Sequence, residues 1–214
     1  GEKKFDFRLN DFEIKVGGRP LLSMRKGCAG FFSTEDLASG KGIVRTEEEL
    51  KPSAGTRPYD WRDLAPFSGE AVAYDDRALE ALRSGDLAAC FGPAFASLPV
   101  SKPETLPSGR MKLVDRVLML EPCGGRYGLG LIRAEADIQP DAWHLLCHFI
   151  DDNVMPGTLM YECCLHTLRV FLLRMGWIGA SGAVRYEPVP GVVSKLKCRG
   201  QVLPSTKKVI YEIT

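Results

Sequence analysis

The stretch CHFIDDNVMPGTLMYECCLHTLRVFLLRMGW, residues 147–177, decides how the rest of the chain is interpreted. A Pro-Gly pair marks a turn, and apolar residues then occupy nearly every side of a predicted helix from about 157 to 175. A helix of that kind is surrounded by protein, so other elements must wrap around it. Two polar side chains break the pattern, His148 before the turn and Glu162 one turn into the helix.

Strand-like runs flank this helix in the sequence. Two runs precede it, 112–120 and 127–137, and a glycine-based turn separates them. Three more follow, at about 183–188, 192–202 and 207–213. The order of strands, one buried helix and further strands indicates an α+β domain with an antiparallel sheet around a helix.

The first half of the chain has a different composition. Residues 1–33 predict a hairpin that turns at VGGRP, and 34–105 are polar and rich in turn formers, which is typical of a linker. Short helices are expected within the linker, notably where Asp75 can cap YDDRALEALRSGDLAACFG. The chain stops within the predicted strand VIYEIT, which leaves a sheet edge. We therefore expect residues 106–214 to form a domain truncated at its C-terminal end, in a segment of a larger polypeptide.

The composition of the chain excludes several classes of function. The 28 basic and 27 acidic residues leave a formal net charge of +1 and are interspersed, so no basic face is available for nucleic acid. Seven cysteines without a CxxC pair are typical of reduced thiols rather than disulfides or a zinc site. No apolar run approaches the roughly 18 residues of a membrane span, and no signal peptide is evident. These features favour a cytoplasmic protein without nucleic-acid or membrane partners.

His148 and Glu162 are the candidate proton-transfer groups. A lone histidine is more often structural than catalytic, but a carboxylate in an apolar helix must be paired, protonated or facing a cavity. An imidazole base and a carboxylic acid are what proton transfer in an enclosed site requires. The N–H groups at Gly157 can hold a carbonyl oxygen that gains negative charge, although a Pro-initiated helix alone is the commoner meaning of such a turn. Together they indicate proton abstraction next to a carbonyl, followed by loss of a group.

The remaining candidates carry less weight. His144 and His166 have no partner that their spacing identifies, so we interpret them as surface or core residues. Cys147 adjoins His148, but neighbours on a strand point to opposite faces, which makes the two a poor nucleophile–base pair.

Four motifs follow one another between residues 106 and 214: MxxxDRV, DIxPDxW, CHFxxDxVMPG and GQVLPxxKKVxY. In this order they closely resemble the bacterial β-hydroxyacyl carrier-protein dehydratases of the β-hydroxydecanoyl type. The resemblance implies a hot-dog fold, an antiparallel sheet wrapped around a long central helix, with two such units side by side. It also implies dehydration of β-hydroxyacyl thioesters to trans-2-enoyl thioesters in fatty acid biosynthesis. The substrate would arrive on the phosphopantetheine arm of an acyl carrier protein, and no metal or redox cofactor is implied.

The resemblance assigns roles to four residues. His148 is the base that removes the α-proton, Glu162 stands at the position of the acid that protonates the departing hydroxyl, the N–H of Gly157 holds the thioester carbonyl, and the carbonyl of Val154 orients the imidazole. In this family the histidine of one hot-dog works with the acid of its neighbour, either an adjoining domain or a second copy. Glu162 replaces the aspartate of the β-hydroxydecanoyl type, which puts double-bond isomerisation in doubt. Asn153 replaces a proline before VMPG, which is expected to loosen the loop.

The N-terminal hairpin resembles the closing hairpin of a similar hot-dog, and tandem dehydratase domains of this kind occur in polyunsaturated fatty acid synthases. Residues 1–33 are therefore predicted to close a preceding hot-dog, and the alternative is that they complete the sheet of 106–214. Two other functions stay open. A non-catalytic structural hot-dog has no need for both His148 and Glu162, and an acyl thioesterase is disfavoured by the extended motifs.

Overall fold

The structure is a computed structural model that divides into two units, Gly1–Val44 and Arg45–Thr214. It describes residues 6–8, 11–30, 35, 45–57, 59–60, 69–98, 104–176, 191–193, 196, 198 and 200–214. The strand predicted at 183–188 lies outside these residues. In the described part of the chain, every helix falls short of the length or apolar character that crossing a bilayer demands.

The described residues of the first unit include two antiparallel strand pairs. Strands β2 (Phe12–Val16) and β3 (Arg19–Met24) form the hairpin that the sequence predicts, and β1 (Asp6–Arg8) pairs with β4 (Cys28–Gly30). The hairpin turns through two glycines with φ of 56° and 78°, a backbone conformation that disfavours any side chain with a Cβ.

A four-stranded antiparallel sheet is the framework of the second unit. Its order is β5 (Val72–Tyr74), β6 (Arg116–Glu121), β7 (Leu131–Asp137) and β8 (Lys208–Ile213). The register of β6 against β7 shifts between residues 117 and 119, and this irregularity allows two side chains three residues apart to face inward. The inward-facing, buried side chains include Val117, Leu120, Ile132, Ala134 and Tyr211.

Helices cover this sheet. In chain order they are α1 (Glu47–Leu50), α2 (Asp76–Ser84), α3 (Leu87–Phe91), α4 (Trp143–Cys147) and α5 (Gly157–Arg174), with short 3₁₀ helices at Pro93–Ser97 and Gly109–Met111. The longest, α5, packs against β7 and β8. Its bounds agree with the predicted helix to within a residue.

Among the residues that the structure describes, one side of helix α5 is buried and the other is partly exposed, so the cover expected on every side is incomplete there. Its buried residues are Cys163, His166, Thr167, Val170, Leu173 and Arg174. On the opposite side Tyr161 and Leu165 remain 40% and 37% exposed. Within this chain, α5 therefore keeps an apolar stripe in contact with solvent.

The prediction that residues 34–105 form a linker is wrong for residues 72–97, because these belong to the second unit. Strand β5 pairs with β6, and the buried Arg83 of α2 donates hydrogen bonds to the carbonyl oxygens of Pro107 and Val114. Asp75 caps α2 as predicted, accepting from the backbone N–H of Ala78 at 2.8 Å. These elements bury Leu79, Leu82, Leu87, Cys90 and Phe95 in the same core as the sheet. Their many polar outer residues gave the segment the composition of a linker.

Residues 45–57, the docked segment, are also part of the second unit and lie against the turn between β6 and β7. The backbone N–H of Ser53 donates to the carbonyl oxygen of Arg126 at 2.9 Å. In return, the Arg126 guanidinium donates to the carbonyl oxygens of Glu48 at 2.8 Å and Lys51 at 2.9 Å, at the end of α1. A cation at the C-terminal end of a helix also complements the helix dipole.

The remaining predicted strands differ from the structure at their ends. The run 112–120 becomes a strand only from residue 116, and 127–137 only from 131. Of the run 192–202, the residues that the structure describes lie outside strands. The run 207–213 is β8, shortened by one residue.

Candidate active site

His148 follows α4 directly and is tied to the loop that leads to α5. Its Nδ1 lies 2.8 Å from the carbonyl oxygen of Val154, and the backbone N–H of Val154 donates to the carbonyl oxygen of His148 at 2.9 Å. Since a carbonyl can only accept, Nδ1 carries the hydrogen of the neutral ring. The lone pair of Nε2 is then the one available to take a proton. The predicted contact between Val154 and the imidazole is present.

The loop between these two residues closes through its own hydrogen bonds. The backbone N–H of Phe149 donates to the carbonyl oxygen of Asp152 at 2.6 Å, and the Phe149 ring stacks on the imidazole with 4.0 Å between centroids. Phe149 and Ile150 are nevertheless 57% and 88% exposed. His148 therefore lies beside two apolar side chains that the described residues leave exposed.

Gly157 opens α5, and the first N–H groups of a helix have no acceptor within it. Immediately before it, the buried Met155 donates its backbone N–H to the carbonyl oxygen of Val202 at 2.9 Å. A Cβ added at Gly157 would lie 2.4 Å from Sγ of Cys198. A side chain at this position would therefore require the Cys198 sulfur to move.

Glu162 lies one turn from His166 on the same face of α5. Their Oε1 and Nε2 atoms are 3.2 Å apart, and the side chains are 37% and 3% exposed. The contact is close but not aligned as a hydrogen bond, since no described residue offers His166 Nε2 a partner with good geometry. Glu162 is thus half-buried and paired, which is one of the three situations that the sequence left open for a carboxylate in an apolar helix.

The pairing corrects the interpretation of His166, whose spacing of four residues from Glu162 was the signal that sequence analysis missed. Burial lowers the pKa of the His166 imidazole. The Glu162 carboxylate acts in the opposite direction, and the Arg169 cation reinforces the lowering. The imidazole next to Glu162 is therefore neutral near pH 7.

The structure brings some predicted site residues together and separates others. His148, Val154 and Gly157 lie within one loop and the helix that follows it. Glu162 stands on the second turn of α5, and no hydrogen bond or ion pair joins it to His148 in the described part of the chain. His144 is buried, and burial lowers its pKa.

The residues of the DRV motif position this site from a distance. Arg116 forms ion pairs with Glu135 and Asp137, and Asp115 accepts the backbone N–H of Asp137 at 2.7 Å. The Arg116 hydrogen bond holds the pKa of the Asp137 carboxyl below its usual range. These bonds fix the end of β7, from which the chain runs to α4 and the base.

The tryptophan of the DIxPDxW motif anchors α4 itself. Its indole N–H, on Trp143, donates to the carbonyl oxygen of Arg110 at 2.9 Å. Because Trp143 is the first residue of α4 and His148 follows the last, this bond helps fix the direction in which the base leaves the helix.

Comparison with known proteins gives two matches. Residues 106–214 match a family model described as a FabA-like domain. Over 205 residues the chain is 33% identical to one of the subunits of a polyunsaturated fatty acid synthase from Thraustochytrium sp., an alignment that covers 94% of this chain and 13% of that protein. These matches confirm the resemblance predicted from the motifs. Together with the sheet and helix described above, they also confirm the hot-dog fold.

Proposed function

We propose, because the chain belongs to the FabA-like domain family, that it dehydrates β-hydroxyacyl thioesters of acyl carrier protein to trans-2-enoyl thioesters. The observation that carries this proposal is the contact between His148 and Val154, which leaves Nε2 of the imidazole as a base. The reaction is that of a hydro-lyase and forms one molecule of water for each enoyl thioester.

The chemistry follows from three groups. Nε2 of His148 takes the α-proton, and negative charge develops on the thioester oxygen, which accepts a hydrogen bond from the N–H of Gly157. The electron pair of the broken C–H bond forms the double bond as the β-hydroxyl leaves. Glu162 gives that hydroxyl its proton and releases water. Transfer of the proton from His148 back to the carboxylate, through solvent, restores both groups.

Glu162 is suited to the role of acid by its neighbour. A cationic imidazole at 3.2 Å would hold the glutamate as a fixed carboxylate. His166 is instead kept neutral by burial, so it places no positive charge against the Glu162 carboxyl group. The half-exposed position of the carboxyl group also gives it a route to solvent.

We also propose that a neighbouring hot-dog, either an adjoining domain or a second copy, completes the site. Support comes from the absence of a hydrogen bond or ion pair between His148 and Glu162 among the described residues, and from the exposed apolar residues beside each of them. Phe149 and Ile150 flank the base, and Tyr161 and Leu165 flank the acid. A packed neighbour would remove these side chains from water.

The hairpin of the first unit supports an adjoining domain. One face of it carries Phe12, Ile14 and Val16, which are 38% to 62% exposed, with Met24 opposite Phe12 and Leu22 opposite Ile14. A two-stranded hairpin is marginal in water unless its apolar face is covered. We propose that residues 1–33 close a preceding hot-dog in a polyunsaturated fatty acid synthase, where a carrier protein delivers the substrate.

The test is hydration of a trans-2-enoyl pantetheine thioester by the full polypeptide that carries this chain, followed as loss of enoyl absorbance. We expect His148→Ala and Glu162→Gln each to lower kcat by about 100-fold or more, since general acid–base groups contribute on that scale. Glu80→Gln, on an exposed position of α2, is the matched control and keeps the wild-type rate.

Unchanged rates in both site variants would contradict the proposal and leave this unit as a structural partner of an active domain. Circular dichroism of each variant separates lost chemistry from lost folding. Release of free pantetheine, measured in the same assay, would instead indicate a thioesterase.

A further inference from the structure

Cys198 lies directly on the first residue of α5. A Cβ built on Gly157 would be 2.4 Å from the Cys198 Sγ and 3.6 Å from its Cβ, and carbon atoms pack at about 3.5–4.0 Å. The sulfur, and not the rest of the cysteine, therefore occupies the space that a side chain at 157 would need. The thiol is exposed on its other side.

The segment that carries Cys198 is fixed against the loop before α5 by a second contact. The backbone N–H of Met155 donates to the carbonyl oxygen of Val202 at 2.9 Å, and both residues are buried. Residue 155 thus meets 202 while residue 157 meets 198, so the two segments run in opposite directions. The contact between Gly157 and Cys198 is part of this alignment.

We infer that Cys198 is a positioning residue for the thioester carbonyl, forming with Gly157 the wall of the slot in which that carbonyl accepts its hydrogen bond. The inference rests on the proposed function and deepens it. By packing on Gly157, the sulfur sets where the N–H of that residue points and how far the substrate can approach.

The chemistry of a thiol suits this position. Sulfur is a weak hydrogen-bond acceptor, so it can touch Gly157 without competing for the N–H that the substrate needs. A hydroxyl or an amide at the same place would accept that N–H and cap the helix instead. The thiol is small, it packs closely on Gly157, and it competes only weakly with the substrate for the N–H group.

A double-mutant cycle tests the inference in the enoyl hydration assay. Gly157→Ala introduces the clash and is expected to lower kcat by about ten-fold or more with little change in KM, since a small displacement of a reacting group is costly. Cys198→Ala removes the sulfur that sets the slot, leaves only the ordinary 3.6 Å contact, and is expected to lower kcat by about three-fold with KM little changed. The double variant should recover most of the loss.

The recovery would show that the Cys198 sulfur, and not the substrate's need for bare backbone alone, makes a side chain at 157 costly. If Gly157→Ala fails only because the substrate needs bare backbone there, removing the sulfur changes nothing and the inference is overturned. If Gly157→Ala does not fold, Cys198→Leu in the otherwise native chain takes its place. It is expected to lower kcat, and an unchanged kcat overturns the inference.

A labelling experiment separates this inference from the proposed function. Burial raises the pKa of Cys163 to about 11 and of Cys90 to about 12, so iodoacetamide reacts first with the exposed thiols. Saturated acyl pantetheine, which has no hydroxyl to lose, should slow labelling of Cys198 but not of Cys123, read by mass spectrometry. Equal rates at Cys198 with and without it overturn the inference, even where hydration is catalysed. A chain without hydratase activity that still protects Cys198 overturns only the proposed function.

Discussion

Each of the two residues proposed to transfer protons, His148 and Glu162, has one neighbour that defines its surroundings. Val154 fixes the hydrogen of His148 on Nδ1 and so exposes Nε2 as a base, while His166 lies against Glu162 without adding charge. Both neighbours are close in sequence, six residues and four residues away. Local chain geometry therefore prepares both groups before any substrate binds.

Replacing His166 tests this view of Glu162. His166→Gln keeps a neutral polar side chain next to the carboxyl group, and we expect kcat within about three-fold of the wild type. His166→Ala removes the partner and leaves a cavity, and we expect kcat to fall by about ten-fold, because the carboxyl group is no longer held in place. The readout is kcat of both variants in the enoyl hydration assay. Equal rates in the two variants would contradict a positioning role.

Some residues of the candidate site could be recognised in the sequence, and others could not. His148, Gly157 and Glu162 stood out because each breaks a local pattern, and the motifs then suggested their roles, which stay predictions. His166 was passed over because a histidine in an apolar helix also fits the core, and only the structure shows its Nε2 atom 3.2 Å from Glu162. The contact of Cys198 with Gly157 lies beyond any sequence pattern, since 41 residues of chain separate the two.

For helices and strands, local sequence patterns were reliable predictors where one face of the element is buried. The end of α5 and the cap of α2 follow from apolar periodicity and from an aspartate at the right place. Strand β5 is three residues long and has no periodicity to detect, so its place in the sheet depends on pairing with β6. The late starts of β6 and β7 have a similar cause, because pairing and not composition sets where a strand begins.

The turn between β6 and β7 provides a test at this level. Gly130 has φ of 145°, and a Cβ there would lie 2.2 Å from the ring of Phe171 on α5. Gly128 has φ of 65°, and a Cβ there would meet only ordinary contacts. Gly128→Ala should cost about 1–2 kcal/mol for the left-handed backbone alone. Gly130→Ala should cost more, because the ring must also move.

Urea unfolding of the two variants measures this difference, with Gly128→Ala as the matched control for backbone strain. A Gly130→Ala variant no less stable than Gly128→Ala would show that Phe171 does not pack against the turn in solution.

At the level of the whole molecule, stability should depend on pH in two successive ranges. Burial holds the pKa of His144 and His166 below 6.5 in the folded chain. The unfolded chain therefore binds protons first as the pH falls through about 6.5, and the folded state loses stability. Ion pairs, mainly with Lys208 and Arg116 respectively, lower the pKa of the carboxyl groups of Glu135 and Asp137. These ion pairs stabilise the folded state above the usual pKa values of 4.5 and 3.8, and their contribution is lost as the pH falls below those values.

Urea midpoints at about pH 7.5 and about pH 5.5 check the first range. We expect the wild type to be less stable at the lower pH, and a His144→Gln, His166→Gln double variant to show a smaller difference between the two. The double variant can be less stable at both values without affecting the comparison. A difference as large as that of the wild type would contradict the assignment to these histidines.

The docked segment has a consequence for the order in which the molecule is built. The carbonyl oxygens of Lys51 and Glu48 are 75 and 78 residues away from the arginine that binds them. At the usual 5–20 residues per second, a ribosome needs roughly 4 to 15 s to add that much chain. During that interval α1 has been synthesised but the β6–β7 turn that binds it has not, so a chaperone or protease can reach α1. Docking of residues 45–57 therefore marks the moment at which the β6–β7 turn has been completed.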